Sequence, residues 1–468
     1  MKFDLILKNG EIVTPRETFR ADIGVRNGKI ATMGDLKGAQ AAEEYDARDK
    51  YVFPGFIDEH VHSRDPGLTH KEDFAHSTLS AAAGGITTVL EMPNSVPPVS
   101  DIASFHSRAA ILTPKAFVDF ALWAMVLGDV NTKDLPALAE AGVAGFKFFW
   151  GYALNAKTMA LVYNVTKNDD VVLPPDDGQI YDAFCTIAKI GRPVAIHAEN
   201  SEIISRLAAR EVASGSTDYA AFLRSRPSFT EAMTAQAGIA IAEAAGAHLH
   251  ILHISAREVV DLVAFARARG QAVTGETCPS YLTLTDADFS RVGVGMKVYP
   301  PIREQAHQDR LWQGLQRGEL QTVGSDHAPH LETEKVGTIW TAPAGACAVQ
   351  SAVPVLLDSV AKGKLTLNQL AAVMSENPAR IFGLYGKKGA IKPGADADFT
   401  VVDMEKTVTI RKEDTLSKNR INMHEGMTMQ GAPVAAFVRG SQVMAGGKPL
   451  GQARGQLVRP VAQSQAKW

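Results

Sequence analysis

The sequence has few cysteines and no excess of positive charge. Three cysteines occur in 468 residues. Cys185, Cys278 and Cys347 lie far apart and are odd in number, which argues against a disulfide framework or a CxxC metal site. A reducing, cytoplasmic setting is therefore expected. Lys and Arg total 48 against 51 Asp and Glu, and the net charge of −3 predicts no basic surface for nucleic acid or an anionic membrane.

Long apolar runs are also missing from the sequence. No stretch approaches the ~20 apolar residues of a membrane span. The N-terminal MKFDLILKNGEIV alternates like a strand and lacks the layout of a signal peptide. A protein that is neither secreted nor embedded in a membrane is expected. Because 46% of the residues are hydrophobic, the chain can bury a large core, and small molecules are the expected partners.

The pattern of predicted secondary structure changes twice along the chain. Residues 3–53 have the pattern of short strands, with Asn-Gly pairs at 9–10 and 27–28 that favour tight hairpins. From about residue 55 to 380, short apolar strands alternate with helix-length segments, which favours a (β/α)8 barrel with insertions. The tail returns to strands. The predicted fold is α/β: a TIM-like barrel over residues 55–383, and a small β-sandwich domain from residues 1–54 and 384–468.

Polar side chains recur where the predicted barrel strands end, which is where barrel enzymes concentrate their active sites. In an extended strand His60 and His62 point to the same side, as two ligands of one ion require, and histidine with carboxylate suits zinc. Each histidine alone would more often be a satisfied turn or core residue. Their joint recurrence favours a metal site, whose candidate ligands are His60, His62, Lys147, His197, His253 and Asp326.

Lys147 stands inside the apolar segment AGFKFFWGY. A buried ammonium is heavily penalised, so a desolvated lysine can lose its proton and react with carbon dioxide. The resulting carbamate carries two anionic oxygens able to bridge two metals. The alternative is a lysine whose stem is buried while its ammonium reaches a carboxylate.

A set of motifs, in order along nearly the whole chain, resembles the cyclic amidohydrolases, that is, the dihydroorotases, allantoinases and hydantoinases or dihydropyrimidinases. The motifs are closest to those of dihydroorotase. The resemblance implies a metal-dependent (β/α)8 barrel with a β-sandwich built from both termini. The motifs are GFIDEHVHSRDPGLTHKEDF, AAAGGITTVLEMPNSVPP, PVAIHAEN, ETCPSYL, KVYPPIR, GSDHAPH and ENPARIFGLYGKKGAIKPGADADFTVVD.

The resemblance also implies a role for each candidate ligand. His60 and His62 match the HxH pair on the more buried metal, and His197 and His253 match the ligands of the second metal. Lys147 matches the carbamylated lysine, N6-carboxylysine, that bridges the two. The expected cofactors are two divalent ions, with zinc as the first choice, and carbon dioxide for the modification. Relatives are commonly dimers or tetramers, so a homodimer or homotetramer is expected.

Asp326 matches the aspartate that binds the first metal and moves a proton. Two divalent ions that share a hydroxide lower its pKa and supply a nucleophile near neutral pH. Asp326 can then serve as general base and return the proton to the leaving nitrogen as general acid. The predicted reaction is the hydrolytic opening of a cyclic amide or ureide at a C–N bond.

The motifs do not all indicate the same substrate. In dihydroorotases, residues at the positions of Arg64, Asn94 and His330 hold the substrate carboxylate, and the chemistry of these side chains suits an anion. This makes a dihydroorotase-like activity the leading prediction. Arg64 can instead form an ion pair with a neighbouring acid such as Asp65.

Two tyrosines favour a substrate ring other than dihydroorotate. Tyr152 lies at the offset where hydantoinases and dihydropyrimidinases carry a tyrosine that hydrogen-bonds the oxyanion, which would make it a catalytic residue. Tyr299 stands where dihydroorotases usually have a small polar residue. Both can equally be packing residues. Allantoinase or hydantoinase activity is therefore the alternative, and a non-catalytic dihydropyrimidinase-like scaffold is a further one.

Four nearby residues have secondary predictions. Asp58 and Glu59 precede the HxH pair and either orient a ligand histidine or are solvated turn acids. Cys278 is expected to be a packing residue because no activating partner is evident. His327 is expected to face away from the metals.

Overall fold

A computed structural model describes residues 2–162 and 170–461. Its central feature is a sheet of eight parallel strands in sequential order, which confirms the predicted barrel. The strands are almost continuous runs of buried residues, as expected when helices cover the outside of a parallel sheet. Barrel strands 1 to 8 are Phe56–Val61, Ile86–Glu91, Asp119–Met125, Gly145–Phe149, Val194–His197, Leu249–Ile251, Val273–Thr277 and Thr322–Val323.

The barrel closes just beyond barrel strand 8. Val61, at the end of barrel strand 1, forms a parallel bridge with His327, and the His62 amide donates to the His327 carbonyl at 2.8 Å. This closure brings the ends of the first and last barrel strands together. His62 and Asp326 are therefore neighbours although they are far apart in the chain.

The α-helices are Phe74–Ala83, Ile102–Leu112, Leu135–Ala141, Asp177–Ile190, Ser201–Ala213, Tyr219–Ser225, Ser228–Ala245, Arg257–Ala268, Pro279–Thr283, Phe289–Val292, Gln305–Gln316, Val349–Ala361, Leu367–Ala371 and Asn377–Ile381. A π-helical turn covers Ala372–Glu376. Short 3-10 turns cover Thr113–Lys115, Gly128–Val130, Thr132–Asp134, Asp286–Asp288, Gly293–Met296 and Lys412–Asp414. Within the described residues, no helix combines the length and apolar character needed to cross a membrane.

Two further sheets form the predicted β-sandwich from both chain ends. Apolar side chains such as Leu5, Val25 and Phe437 lie between them in one core. In spatial order, one sheet holds Lys29–Gly34, Asp22–Arg26, Lys2–Lys8 and Gln40–Asp46. The other holds Lys448–Pro449, Ser441–Ala445, Thr428–Val438, Phe399–Thr409, Tyr51–Pro54, Glu11–Val13 and Thr18–Arg20. A small separate sheet holds Leu161–Val162, Ala153–Asn155 and Val171–Val172. The predicted domain boundaries at 54/55 and 383/384 stay a prediction.

The two Asn-Gly pairs behave differently. Asn27 and Gly28 both have positive φ and join two antiparallel strands, so this hairpin prediction is confirmed. The hairpin prediction at Asn9-Gly10 is wrong. The strands on either side of Asn9-Gly10 belong to different sheets, because this turn carries the chain from one layer of the sandwich to the other.

A buried ion cluster ties the barrel to the sandwich. The Lys388 ammonium lies 2.5 Å from a carboxylate oxygen of Asp119, 2.5 Å from one of Asp398 and 3.1 Å from one of Asp396. Asp119 begins barrel strand 3, and Asp398 directly precedes a sandwich strand. Arg439 adds a second cation on Asp119. The cluster neutralises acids that would otherwise be buried without a cation.

Replacing Lys388 with methionine should destabilise the protein. Removing one partner of a buried ion pair leaves uncompensated charge and costs roughly 3–5 kcal/mol. Thermal melting followed by circular dichroism should show a clearly lower transition for Lys388→Met. Lys362, which pairs with Asp358 at 2.6 Å but is 65% exposed, supplies the control, because Lys362→Met should cost at most about 1 kcal/mol. Equal melting of the two variants would contradict the importance of the cluster.

Candidate metal centre and active site

His60, His62 and Asp326 form the first half of the site. The Nε2 atoms of the two imidazoles face Oδ1 of Asp326, at 3.3 Å for His60 and 3.4 Å for His62. The other nitrogens are held from behind: His60 Nδ1 lies 2.8 Å from Glu276 Oε1, and His62 Nδ1 lies 2.7 Å from Asn94 Oδ1. Since those oxygens accept from Nδ1–H, each Nε2 lone pair is directed at the carboxylate, as a shared cation requires.

His197 and His253 form the second half of the site. His197 Nδ1 and His253 Nε2 lie 3.0 Å apart, and both side chains are buried. His197 Nε2 lies 3.0 Å from Glu199 Oε2 and also 3.0 Å from the phenol oxygen of Tyr152. Glu199 is itself paired with Arg226 at 2.7 Å. Two nitrogens so close to each other are an arrangement that a cation between or beside them would satisfy.

Lys147 lines the same cavity as the two halves. Its side chain is 0% exposed, and Nζ has no hydrogen-bond partner among the described residues. The ammonium lies 4.6 Å from the centroid of the Phe149 ring. Burial lowers the pKa of Lys147 to about 7, although Glu276 and Asp326 oppose the shift. The alternative of a lysine that reaches a carboxylate is therefore disfavoured, and a neutral, reactive amine is available.

The electrostatics of the other side chains also fit a divalent cation. Burial lowers the pKa of His62 to about 4 and holds the pKa of His253 well below its usual value. Burial alone would raise the pKa of Asp326, but the neighbouring His60, His62 and Lys147 hold it below its usual value. Neutral His62 and His253 and an ionised Asp326 are in the protonation states in which these groups bind metal. At His60, burial is outweighed by Glu276 and Asp326, which raise the pKa, so a cation bound there would take the place of a proton.

One cavity unites most of the predicted site residues. Those that line it are His60, His62, Arg64, Asn94, Lys147, Tyr152, His197, His253 and Asp326, together with Tyr299. His330 is not among the lining residues. Tyr299 forms one wall, and the Arg226 guanidinium stacks on its ring at 3.5 Å from the centroid.

The predicted carboxylate clamp is only partly assembled. Arg64 Nε donates to the Pro329 carbonyl at 3.3 Å, and Arg64 Nη2 lies 3.4 Å from His330 Nε2. The Asn94 oxygen is bonded to His62. The alternative ion pair of Arg64 with Asp65 is not formed, because Asp65 pairs with Lys115 at 2.6 Å. The three side chains therefore do not converge on one point in the cavity.

Residues 51–443, most of the chain, match the sequence profile of the Amidohydrolase family. The chain belongs to the amidohydrolase family. It is 38% identical to an allantoinase of Deinococcus radiodurans, over 98% of this chain and 99% of that one. It is 35% identical to an L-hydantoinase of Paenarthrobacter aurescens, over 97% and 98% of the two chains. The solved L-hydantoinase (dihydropyrimidinase) from Arthrobacter aurescens superimposes with a TM-score of 0.92 at 34% identity, covering 98% of this chain and 100% of that one.

These relatives confirm the prediction of a hydrolase that acts on cyclic amides. They are named allantoinases and hydantoinases, so they favour the alternative substrate prediction and give no support to a dihydroorotase. The family is metal-dependent, and His60, His62 and Asp326 form a candidate ligand group in this amidohydrolase. The identity of the ions, the carbamate, the oligomer and the cytoplasmic location stay predictions.

The residues that orient the ligand histidines were largely missed from the sequence. Asp58 accepts hydrogen bonds from the backbone amides of His60 and Ser325 instead of touching an imidazole. Glu59 lies against His250, at 3.4 Å. The orienting acids are instead Glu276, which opens the ETCPSYL motif, and Glu199, two residues after His197. In the sequence, the only indication of this role was that each carboxylate lies next to a predicted strand end.

The expectations for two flanking residues agree with the structure. His327 faces away from the cavity, and its Nδ1 accepts from the Ala348 amide at 3.1 Å. Cys278 is buried at the end of barrel strand 7, and burial raises the pKa of its thiol well above the usual value, so the thiolate needed for reactivity is suppressed.

Lys147 should carry carbon dioxide when the amidohydrolase is loaded with metal. The neutral amine adds to carbon dioxide, forming an N–C bond and releasing one proton. Carbon NMR after incubation with labelled bicarbonate and zinc should show one carbamate signal per chain. The signal should be absent from Lys147→Met, while Lys297→Met, which removes another buried lysine, should keep it. A wild-type protein with two bound ions and no carbamate would contradict the assignment.

Proposed function

We propose that this amidohydrolase opens a hydantoin ring by hydrolysing one of its C–N bonds. Allantoin, which is a ureido-substituted hydantoin, and other 5-substituted hydantoins are the proposed substrates. The observation that carries the proposal is the phenol of Tyr152 in the cavity, 3.0 Å from His197 Nε2. The whole-chain similarity to an allantoinase and to L-hydantoinases supports the same substrate class.

The position of His330 argues against a substrate carboxylate as the main recognition element. The side-chain oxygen of Asn94 is bonded to His62 Nδ1 at 2.7 Å, so Asn94 orients a metal ligand, and only its amide nitrogen could donate to a carboxylate. His330 lies behind Arg64 and contacts Lys71 and Glu334 at 3.4 and 3.6 Å. Of the proposed clamp, only the Arg64 guanidinium offers charge to the cavity.

The residues present fit a binuclear metal centre. His60, His62 and Asp326 would hold one ion, His197 and His253 the other, and the Lys147 carbamate would supply the anionic bridge. The buried Nζ of Lys147, which has no hydrogen-bond partner among the described residues, and the 3.0 Å approach of His197 Nδ1 to His253 Nε2 support the fit. When bound, two divalent ions polarise the scissile carbonyl and lower the pKa of the attacking water.

The side chains of the chain then handle the protons. Asp326 is ionised and next to His60 and His62, so it can take the proton from the attacking water as the oxygen–carbon bond forms. The carboxylic acid so formed returns this proton to the ring nitrogen as the C–N bond breaks. Tyr152 donates its hydroxyl hydrogen to the carbonyl oxygen that becomes negative, a stabilisation made chiefly in the transition state.

A panel of rings tests the substrate class. The zinc-loaded protein should hydrolyse allantoin or a 5-substituted hydantoin with a kcat/KM at least about tenfold above that for dihydroorotate, because the cavity offers no assembled carboxylate clamp. The rate with dihydrouracil, a six-membered ring without a carboxylate, shows whether a slow rate with dihydroorotate is due to the ring size or to the substituent. If dihydroorotate proves the fastest substrate, the proposed ring is wrong although the amidohydrolase chemistry stands.

Two substitutions test the proposed proton and oxyanion roles. Asp326→Asn should lower kcat roughly a thousandfold, because the amide cannot take up the proton. Tyr152→Phe should lower kcat roughly a hundredfold with a much smaller change in KM, as expected for an oxyanion donor. Tyr181→Phe serves as control, because Tyr181 lies on the helix Asp177–Ile190 and is 42% exposed. Near-normal turnover of either site variant with full metal content would refute its role.

A further inference from the structure

We propose that Glu276 is a positioning residue that fixes both halves of the metal centre through a single carboxylate oxygen. The inference rests on the proposed two-ion site and adds a residue to it. Glu276 is not among the residues that line the cavity. It acts through the ligands that it holds.

The same oxygen serves one residue from each half. Glu276 Oε1 lies 2.8 Å from His60 Nδ1, and it also accepts the backbone amide of His253 at 3.0 Å. His60 belongs to the pair that faces Asp326, whereas His253 belongs to the pair with His197. The rings of His60 and His253 are 5.3 Å apart between centroids. The spacing of the two halves therefore depends on one acceptor atom.

Each of the two hydrogen bonds sets a property of its ligand. The bond to Nδ1 keeps the proton of His60 on that nitrogen, so that Nε2 presents its lone pair to the site. The bond to the His253 amide holds a residue whose φ is 39°, a left-handed conformation that non-glycine residues seldom adopt. His253 lies two residues beyond barrel strand 6, where the strand ladder has ended. Without the Glu276 oxygen, that backbone amide has no ladder partner to replace it.

The neighbouring backbone is shaped to admit this carboxylate. A Cβ at Gly324 would lie 2.6 Å from Glu276 Oε2 and 3.0 Å from the Cβ of His60. Gly324 does not have the positive φ that would itself require glycine, so the demand at this position is for space. Gly324 directly follows barrel strand 8 on the way to Asp326. Adding one methyl group there should displace the carboxylate without removing it.

Glu59 allows an orienting role to be separated from the general effect of a buried acid. Glu59 and Glu276 are both fully buried and, with His250, form one cluster. The Glu59 carboxylate lies against His250, at 3.4 Å, and not against a ligand imidazole. Replacing Glu59 with methionine therefore removes a neighbouring buried carboxylate while leaving Glu276 Oε1, the oxygen that accepts both hydrogen bonds, in place.

The experiment measures zinc binding to the full chain at graded free zinc, with total zinc per chain as the readout. The visible spectrum of the cobalt-substituted protein reports ligand geometry in the same samples. The variants are Glu276→Met, which removes the acceptor, Glu276→Gln, which keeps an acceptor oxygen, Glu276→Asp, Gly324→Ala and Glu59→Met. Gly178→Ala is the control for Gly324→Ala, because a Cβ at Gly178 meets only an Asp176 oxygen, at 3.3 Å. Circular dichroism melting checks that each protein is folded.

Glu276→Met and Gly324→Ala should each weaken both zinc sites at least about tenfold and alter the cobalt spectrum, as loss of orienting partners does elsewhere. Glu276→Gln keeps an acceptor oxygen at this position and should recover most of that loss, and Glu59→Met and Gly178→Ala should match the wild type. The inference is overturned if folded Glu276→Met binds two ions with wild-type affinity, or if Glu59→Met loses as much as Glu276→Met. If Glu276→Met does not fold, Glu276→Asp decides, because its shorter side chain withdraws the oxygen from both donors while keeping the charge. A wild-type chain that binds fewer than two ions contradicts the two-ion site itself.

Discussion

The burial of Lys147 with no hydrogen-bond partner among the described residues is the constraint on which the site depends. A lysine ammonium that is fully enclosed has lost its hydration, and in the same cavity burial holds the pKa of His253 well below its usual value, so that this imidazole is neutral. An arrangement of this kind is costly in the protein alone. It becomes favourable if the amine is converted to an anion and cations are added between it and the histidines. The site thus fits the proposed carbamate and the proposed ions.

The surrounding fold offsets that cost because it fixes the strands that carry the candidate ligands. The barrel strands that carry the ligands are buried along their length, and strand closure at Val61 and His327 sets the first and last strands in register. At the barrel–sandwich junction, the buried Lys388 is paired with three aspartates. Lys147 in the cavity has no hydrogen-bond partner among the described residues, and this contrast distinguishes a structural ion cluster from a candidate functional site.

The sequence predicts those parts of the molecule that depend on local patterns. Apolar strands followed by a polar residue identified the barrel and all six candidate ligands, because each ligand lies at or just after its own strand. Glu276 and Glu199 escaped because their contacts depend on how neighbouring strands are rotated, which no single segment contains. The hairpin prediction at Asn9-Gly10 was wrong for the same reason, because an Asn-Gly pair predicts a turn but does not show whether the next strand joins the same sheet.

The hydrogen bonds of individual polar atoms decide how well the predicted carboxylate clamp fits the structure. Arg64, Asn94 and His330 resemble a carboxylate clamp by type and order, but an acceptor atom bonded to an imidazole N–H is committed to that ring. The Asn94 oxygen is committed to His62, and the Arg64 guanidinium already donates to the Pro329 carbonyl. A carboxylate accepts hydrogen bonds, so in the cavity it would meet only the remaining N–H groups of Arg64 and Asn94, without His330, which does not line the cavity. This incomplete clamp, together with the Tyr152 phenol beside His197, is the ground for proposing a hydantoin instead of dihydroorotate.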